Sequence, residues 1–515
     1  MSPTPPPVKA MPLLANVRGR RLLAPEHGQW TGMAESMKAG GAQLLALWGT
    51  DDRDRDDRFR IYAAYLLRDE VVLVEHALPA GATSYLGLGT VFPVADRLQR
   101  SVFDLLGLRA EGGDERGWLR HGSWPEAFFP LRRDSPATAR FRTNSVPYPF
   151  VAVAGDGVHE IPVGPVHAGT IEPGNFRFSV VGEKVLRLEE RLGYTHKGVA
   201  KRFEQLSQSE GQRLAARVSG DSAVAFSWAY CAALEAVTGV TVPARAAALR
   251  ALVLERERIA NHLGDLGALG NDAGFAFGLA QFLRLKEDLL RANAQAVGAR
   301  YPFDFVVPGG VARDLAAESP AALTAQLRPL EQAVLELRRI YDEHAGLQDR
   351  FREAGRLERE LAGTLGALGL AARASGIGRD LRVDQPWPPY DRLAPKAALR
   401  TEGDVAARVQ VRFDEVLESI RLCRVLLASL PEGAVAVEVP AAEPDRLGLG
   451  LIEGWRGPVL IALHAGPGGA IRRCHAHDPS WQNWPLLEFA ILGNIVPDFP
   501  LINKSFNLSY SGQDG

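Results

Sequence analysis

Two short stretches carry side chains suited to a site. In Gly164-Pro165-Val166-His167-Ala168-Gly169-Thr170-Ile171-Glu172-Pro173-Gly174 an imidazole and a carboxylate stand in a run dense in glycine and proline. Such a run cannot continue as helix, because proline lacks the amide donor and glycine loosens the backbone. Irregular backbone that holds polar groups suits the wall of a site, and it equally describes a loop entering a strand. In the second stretch, Ser219-Gly220-Asp221-Ser222, two hydroxyls and a carboxylate precede an apolar helix that stops at Gly239. These groups can hydrogen-bond a polar ligand. Further on, Glu255, Arg258 and His262 fall at i, i+3 and i+7 of one helix, with Asp265 a turn beyond. That spacing puts them on one face and reads as a salt-bridged surface between packed helices. Cys474, His475 and His477 invite a metal, but one thiol and two imidazoles lack the four-ligand set of known sites. The glycine-rich run Arg373–Arg382 does not have the nucleotide-binding spacing after a strand, so nucleotide binding there is rejected.

The chain that must position these groups has 515 residues, 46% hydrophobic and 23% charged, with formal net charge -2. Length predicts two or three domains with ample core. The balanced charge supplies no basic field for nucleic acid or anionic lipid. Cys231, Cys423 and Cys474 form no CxxC pair, which fits a reducing cytoplasm. No apolar run is long enough to span a bilayer, and Met1–Pro7 is proline-rich without a signal-like apolar segment. Membrane association is therefore expected only through partner subunits.

Periodicity divides the chain into a disordered lead-in over 1–15, a small α/β unit over 16–135, a linker over 136–160 and a large, mainly helical unit with short peripheral strands over 161–515. The fold class is α+β. In the small unit, 59–67 and 71–74 read as paired strands. Asp51–Arg60 reads as a solvated, charged turn before a strand. In the large unit, 176–188 reads as a hairpin turning at Gly182-Glu183. Helices are expected over 222–237, 246–266, 280–300, 323–351 and 404–430.

The wording of several segments resembles a known superfamily. Gly164–Phe178, Leu192-Gly193-Tyr194-Thr195-His196-Lys197-Gly198, Leu254–Gly267, Leu447–Gly457 and Asp478–Pro485 are similar to the large subunit of membrane-bound [NiFe] hydrogenases of the formate hydrogenlyase type. They are also similar to the 49-kDa-type (D) subunit of respiratory complex I. Phe92-Pro93, the helix into Phe103-Asp104-Leu105-Leu106-Gly107-Leu108, and Pro130-Leu131-Arg132-Arg133-Asp134 resemble the 30-kDa-type (C) subunit. The resemblance implies a C–D fusion and a superfamily reaction of NADH:quinone oxidoreduction or electron transfer to protons. It implies a small Fe–S (20-kDa B-type) subunit and membrane subunits as partners, on the cytoplasmic side of the cell membrane. By that reading the chain itself binds neither NADH nor an Fe–S cluster, and the cluster belongs to the small subunit.

The hydrogenases hold nickel and iron with cysteines in a Cys-Gly-x-Cys loop and an Asp-Pro-Cys-x-x-Cys tail. Position by position those four thiolates become Ser219, Ser222, Ser509 and Gly512 here. Hydroxyls are poor substitutes for thiolates toward such metals, so no metal is expected. The arginine of a hydrogenase Arg-Gly pair aligns with Pro444-Asp445. The His and Tyr that head the complex I quinone site align with Ile171 and Gly220, while His167 matches the other histidine of that loop. Three readings follow: a redox subunit shaping the cavity beside a partner's terminal cluster; a quinone-reducing subunit with Asp221 and His167 as proton donors; and a non-redox structural subunit with a vestigial cavity. The candidate site is His167, Glu172, Ser219, Asp221, Ser222, Ser509 and Gly512. If the scaffold persists, the four former ligand positions lie within roughly 4–9 Å of one another.

Overall fold

The computed structural model describes residues 8–9, 19–24, 27–144, 147–167 and 171–515. The lead-in expected over 1–15 lies outside these residues except for Val8–Lys9. That pair forms β1, antiparallel to β2 (Gly19–Leu23). After α1 (His27–Ala39) come β3 (Gln43–Asp52), β4 (Arg58–Leu66) and β5 (Val71–Ala77). The five strands make one sheet in the order β1-β2-β5-β4-β3, with only the β2–β5 pair parallel. Helix α2 (Ala95–Leu106) packs on β3 with Val102 and Leu106 buried. Between Glu111 and Val158 the described residues carry neither helix nor strand.

The larger part begins with β6 (Val158–Val163), β7 (Asn175–Val181) and β8 (Lys184–Arg191), an antiparallel sheet. Helix α3 (Ala223–Thr238) is buried almost all round, as its uniformly apolar sequence requires. Helix α4 (Ala244–Asp272) packs against α5 (Ala276–Val297). The single helix expected over 323–351 is two, α6 (Ser319–Glu343) and α7 (Ala345–Phe351). The break is at His344, which is extended and whose ring accepts the Leu347 N–H at 3.1 Å, giving α7 its own cap. Helix α8 (Val405–Ala428) lies along α4.

The C-terminal part holds the antiparallel sheet β9 (Leu447–Glu453), β10 (Pro458–Ala465) and β11 (Ile471–His477). It is followed by α9 (Ser480–Ala490), α10 (Phe499–Phe506) and α11 (Tyr510–Asp514). The alternation Leu447-Gly448-Leu449-Gly450-Leu451 has a packing cause. A Cβ on Gly450 would lie 1.8 Å from the Ala229 carbonyl oxygen, and one on Gly448 would lie 2.2 Å from that of Ala233. Helix α3 therefore rests directly on the β9 backbone.

The solvated turn expected over 51–60 is present at 54–58, which are exposed, but its base is not solvated. Asp51 and Asp52 are each 3% exposed. Arg472 of β11 reaches Asp52 at 2.8 Å and Asp54 at 2.6 Å, so this charged run joins the two halves of the chain. Trp48 stacks on His475 with centroids 4.8 Å apart, and Gln482 donates to the Leu45 carbonyl at 2.6 Å across the same seam.

Candidate functional site

The Ser219–Ser222 loop sits where α3 starts. Ser219 is extended, residues Gly220–Ser222 form one 3-10 turn, and α3 follows. The tail arrives from the far end of the sequence. Asn507 closes α10 in the left-handed conformation (φ 45°) and turns the chain so that Ser509 enters the interior. Ser509 caps α11 by accepting the Gly512 N–H at 2.8 Å. Its hydroxyl meets that of Ser219 at 2.8 Å, joining residues 290 apart in sequence.

Asp221 is the electrostatic centre of the loop. It accepts from Arg456 Nη1 at 2.7 Å and Nη2 at 2.5 Å, and from Ser219 Oγ at 2.8 Å. Burial works to raise its pKa. Arg456 and the Ser219 hydroxyl more than offset that, so the carboxyl lies below its ordinary value and is ionised. The Asp221 carbonyl accepts from Trp455 Nε1 at 2.9 Å and Asn261 Nδ2 at 2.7 Å. Arg456 lies over the Trp455 ring at 3.9 Å and donates Nε to the Asn507 carbonyl at 2.6 Å, so one guanidinium ties loop to tail.

The buried face of α4 positions this arginine. Arg258 donates to the Glu453 and Gly454 carbonyls at 2.7 and 2.9 Å, fixing the turn that presents Trp455-Arg456. Glu255 is bridged by Arg382 at 3.1 Å, His262 meets Glu415 at 2.8 Å, and Asp265 meets Arg412 at 2.9 Å. Asn507 Nδ2 donates to Asp265 at 2.6 Å, which couples the face to the tail.

A groove of about 980 Å³ opens over these residues. Ile171, Glu172, Ser219, Asp221, Arg456 and Ser509 are among its walls. Glu172 accepts the Ser511 N–H at 3.1 Å. Ser222 and Gly512 are buried behind the wall. His167 does not line the groove. Its Nε2 lies 2.8 Å from the Gly174 carbonyl oxygen and its ring rests near Phe176, so it braces its own loop. A proton-donor role for His167 and Asp221 is therefore corrected: the first is turned away, and the second is a paired carboxylate without a proton to give.

Asp445 and Arg446, at the position of the hydrogenase Arg-Gly pair, have side chains 62% and 54% exposed. The arginine at the site is Arg456, inside the family-like segment Glu453-Gly454-Trp455-Arg456-Gly457, and it was not among the candidate site residues. Cys474 alternates to the opposite face of β11 from His475 and His477. Among the described residues no cluster of His, Cys, Asp or Glu could hold a metal ion.

The residues at the four former ligand positions do not fit a nickel–iron centre. Two oxygens bound to one tetrahedral metal stand about 3.3 Å apart or more, whereas Ser219 and Ser509 hydrogen-bond directly at 2.8 Å. A Cβ on Gly512 would lie 2.5 Å from Asp478 Oδ2 and 2.9 Å from Ser509 Oγ, so a side chain there would have to displace Asp478.

Comparison with known proteins agrees with this architecture. Residues 25–141 match the family model of the respiratory-chain NADH dehydrogenase 30-kDa subunit, and residues 272–448 that of its 49-kDa subunit. Formate hydrogenlyase subunit 5 of Escherichia coli (strain K12) is 32% identical over 488 residues, spanning 92% of this chain and 85% of that protein. Hydrogenase-4 component G of the same organism is 30% identical over 480 residues, 92% and 83% of the two chains. The fused C/D subunit of the NADH-quinone oxidoreductase from Bacteroides thetaiotaomicron is 26% identical over 447 residues, 81% and 84%. A chain of the archaeal membrane-bound sulfane sulfur reductase shares the fold, with TM-score 0.66 and 23% identity over 71% of this chain and 100% of that one. The chain belongs to the family of formate hydrogenlyase subunit 5 and hydrogenase-4 component G, in which a 30-kDa-type and a 49-kDa-type complex I unit are joined.

Proposed function

We propose that this chain is the large peripheral subunit of a membrane-associated, complex I-like or hydrogenase-4-like oxidoreductase that works without nickel. The observation that carries this is the convergence of Ser219, Ser222, Ser509 and Gly512 around the Asp221–Arg456 pair. The hydroxyl groups there suit hydrogen bonding and not soft-metal ligation. Electrons come from a cluster in a small Fe–S subunit docked at the groove rim, where Ile171 and Leu283 expose 52% and 46% of their surface. Membrane subunits hold the assembly at the bilayer. Among the described residues no helix is long and apolar enough to cross a membrane, which supports attachment through partners.

The groove takes a small carbonyl acceptor of the quinone type. Arg456 is the donor that polarises its oxygen and stabilises the charge that develops there on reduction, with the Ser219 hydroxyl beside it held by Asp221. Neither supplies a proton, since arginine keeps its own and the serine hydroxyl is committed to Asp221 and Ser509. Protons must therefore reach the groove from elsewhere in the chain.

The test is purification of the intact complex, elemental analysis, and assay with a short-chain benzoquinone. The expected result is reduction without stoichiometric nickel, lost in Arg456→Met. About one nickel per chain would overturn the reading. A partner lacking cluster cysteines, with no quinone reduction, would replace it with a purely structural role.

A further inference from the structure

The geometry points to a proton-storage site outside the groove: Glu190 and Glu488, bridged by Arg97, share one proton.

Glu190 lies near the end of β8, Glu488 on α9, and Arg97 on α2 of the 30-kDa-type unit. Arg97 Nη1 donates to Glu190 Oε2 at 2.9 Å, and Nη2 reaches Glu488 Oε1 at 2.8 Å. The Glu190 backbone N–H also donates to Glu488 Oε1 at 2.8 Å. The two carboxyls are thus held within the width of a single guanidinium. The Glu190 side chain is 0% exposed and that of Arg97 11%. Two carboxylates against one cation would leave an uncompensated charge in the interior, and one bound proton removes it.

The other charged groups facing the pair do not change that count. Glu189 on β8 is held by Arg116 at 2.5 Å. Arg187, also on β8, acts on Glu488 only at longer range, with a side chain 42% exposed. Burial, before any charge effect, raises both carboxyls above their ordinary range. Glu190 Oε1 is buried with no hydrogen-bond partner, as an oxygen awaiting a proton would be.

Glu488, with 20% of its side chain exposed, exchanges the proton with solvent, so the pair can take it up and release it. No electron moves in this step.

Infrared difference spectra of the full complex, wild type minus variant, in water and D₂O at neutral pH test this. A carbonyl band of a protonated carboxyl, shifted in D₂O, is expected to be lost in Glu190→Gln and in Glu488→Gln, because the remaining carboxylate then pairs one-to-one with Arg97. If neither difference spectrum shows such a band, the storage site is overturned.

Discussion

Replacing Asp221 by Asn strands a guanidinium. Arg456 is 6% exposed, and its two terminal nitrogens are directed at this carboxylate. Removing one partner of a fully buried pair costs about 3–5 kcal/mol. The Asp221 side chain is 37% exposed, so water reaches the gap and the figure must be discounted, to about 2 kcal/mol. That is roughly thirty-fold in a local opening equilibrium. Amide hydrogen exchange over 219–225 and 508–512 in the assembled complex is the assay, because a chain of this size need not unfold in two states. Both segments should lose protection together, since Arg456 also holds the Asn507 carbonyl. In the double variant Asp221→Asn/Arg456→Met the loss should be smaller than the sum of the two singles, because no charge is left unpaired. Strict additivity, or a loss confined to one segment, would refute the claim that this pair is the tie between loop and tail.

Other expectations are as direct. Restoring cysteine at 219, 222, 509 and 512 together should not restore nickel in elemental analysis, because a side chain at 512 meets Asp478. Gly450→Ala should destabilise by more than about 4 kcal/mol and abolish soluble expression, since its methyl group would enter the Ala229 carbonyl. Asp514, 2% exposed, is pushed up to about 6 by burial, although it accepts from Gly193 N and Thr195 N at 2.8 and 2.9 Å. The folded state therefore binds its proton more tightly than the unfolded chain, whose value is about 3.9. Stability should fall as pH rises from about 4 to about 6 and then level, by on the order of 2–3 kcal/mol. Asp514→Asn should flatten that slope in the protection of the Gly193 and Thr195 amides.

Local structure was legible in the sequence wherever one period dominated. The hairpin at Gly182-Glu183, the all-round apolar α3 and the charged face of α4 follow from alternation or helical spacing. Pairings across hundreds of residues were not legible. Asp51–Arg60 looks like a surface turn because its partner Arg472 is 420 residues away from Asp52. Arg456 was missed for the same reason, as its carboxylate lies 235 residues upstream. His167 looked like a site residue by type, but whether a ring faces a groove or its own loop depends on backbone direction, which composition does not carry. The meeting of Ser219 with Ser509 was reached through family resemblance, since no local propensity requires it.

The hydroxyl contact between Ser219 and Ser509 also sets an order of events during synthesis. One wall of the groove, from Pro500 to Ser511, follows its other walls in sequence. A nascent polypeptide that has folded through α8 and the β9–β11 sheet still presents an open face where the groove will be. A partner that recognises the finished groove cannot select such a chain, and one that binds early must leave the tail room to enter. The groove is complete only once residues 499–514 are in place.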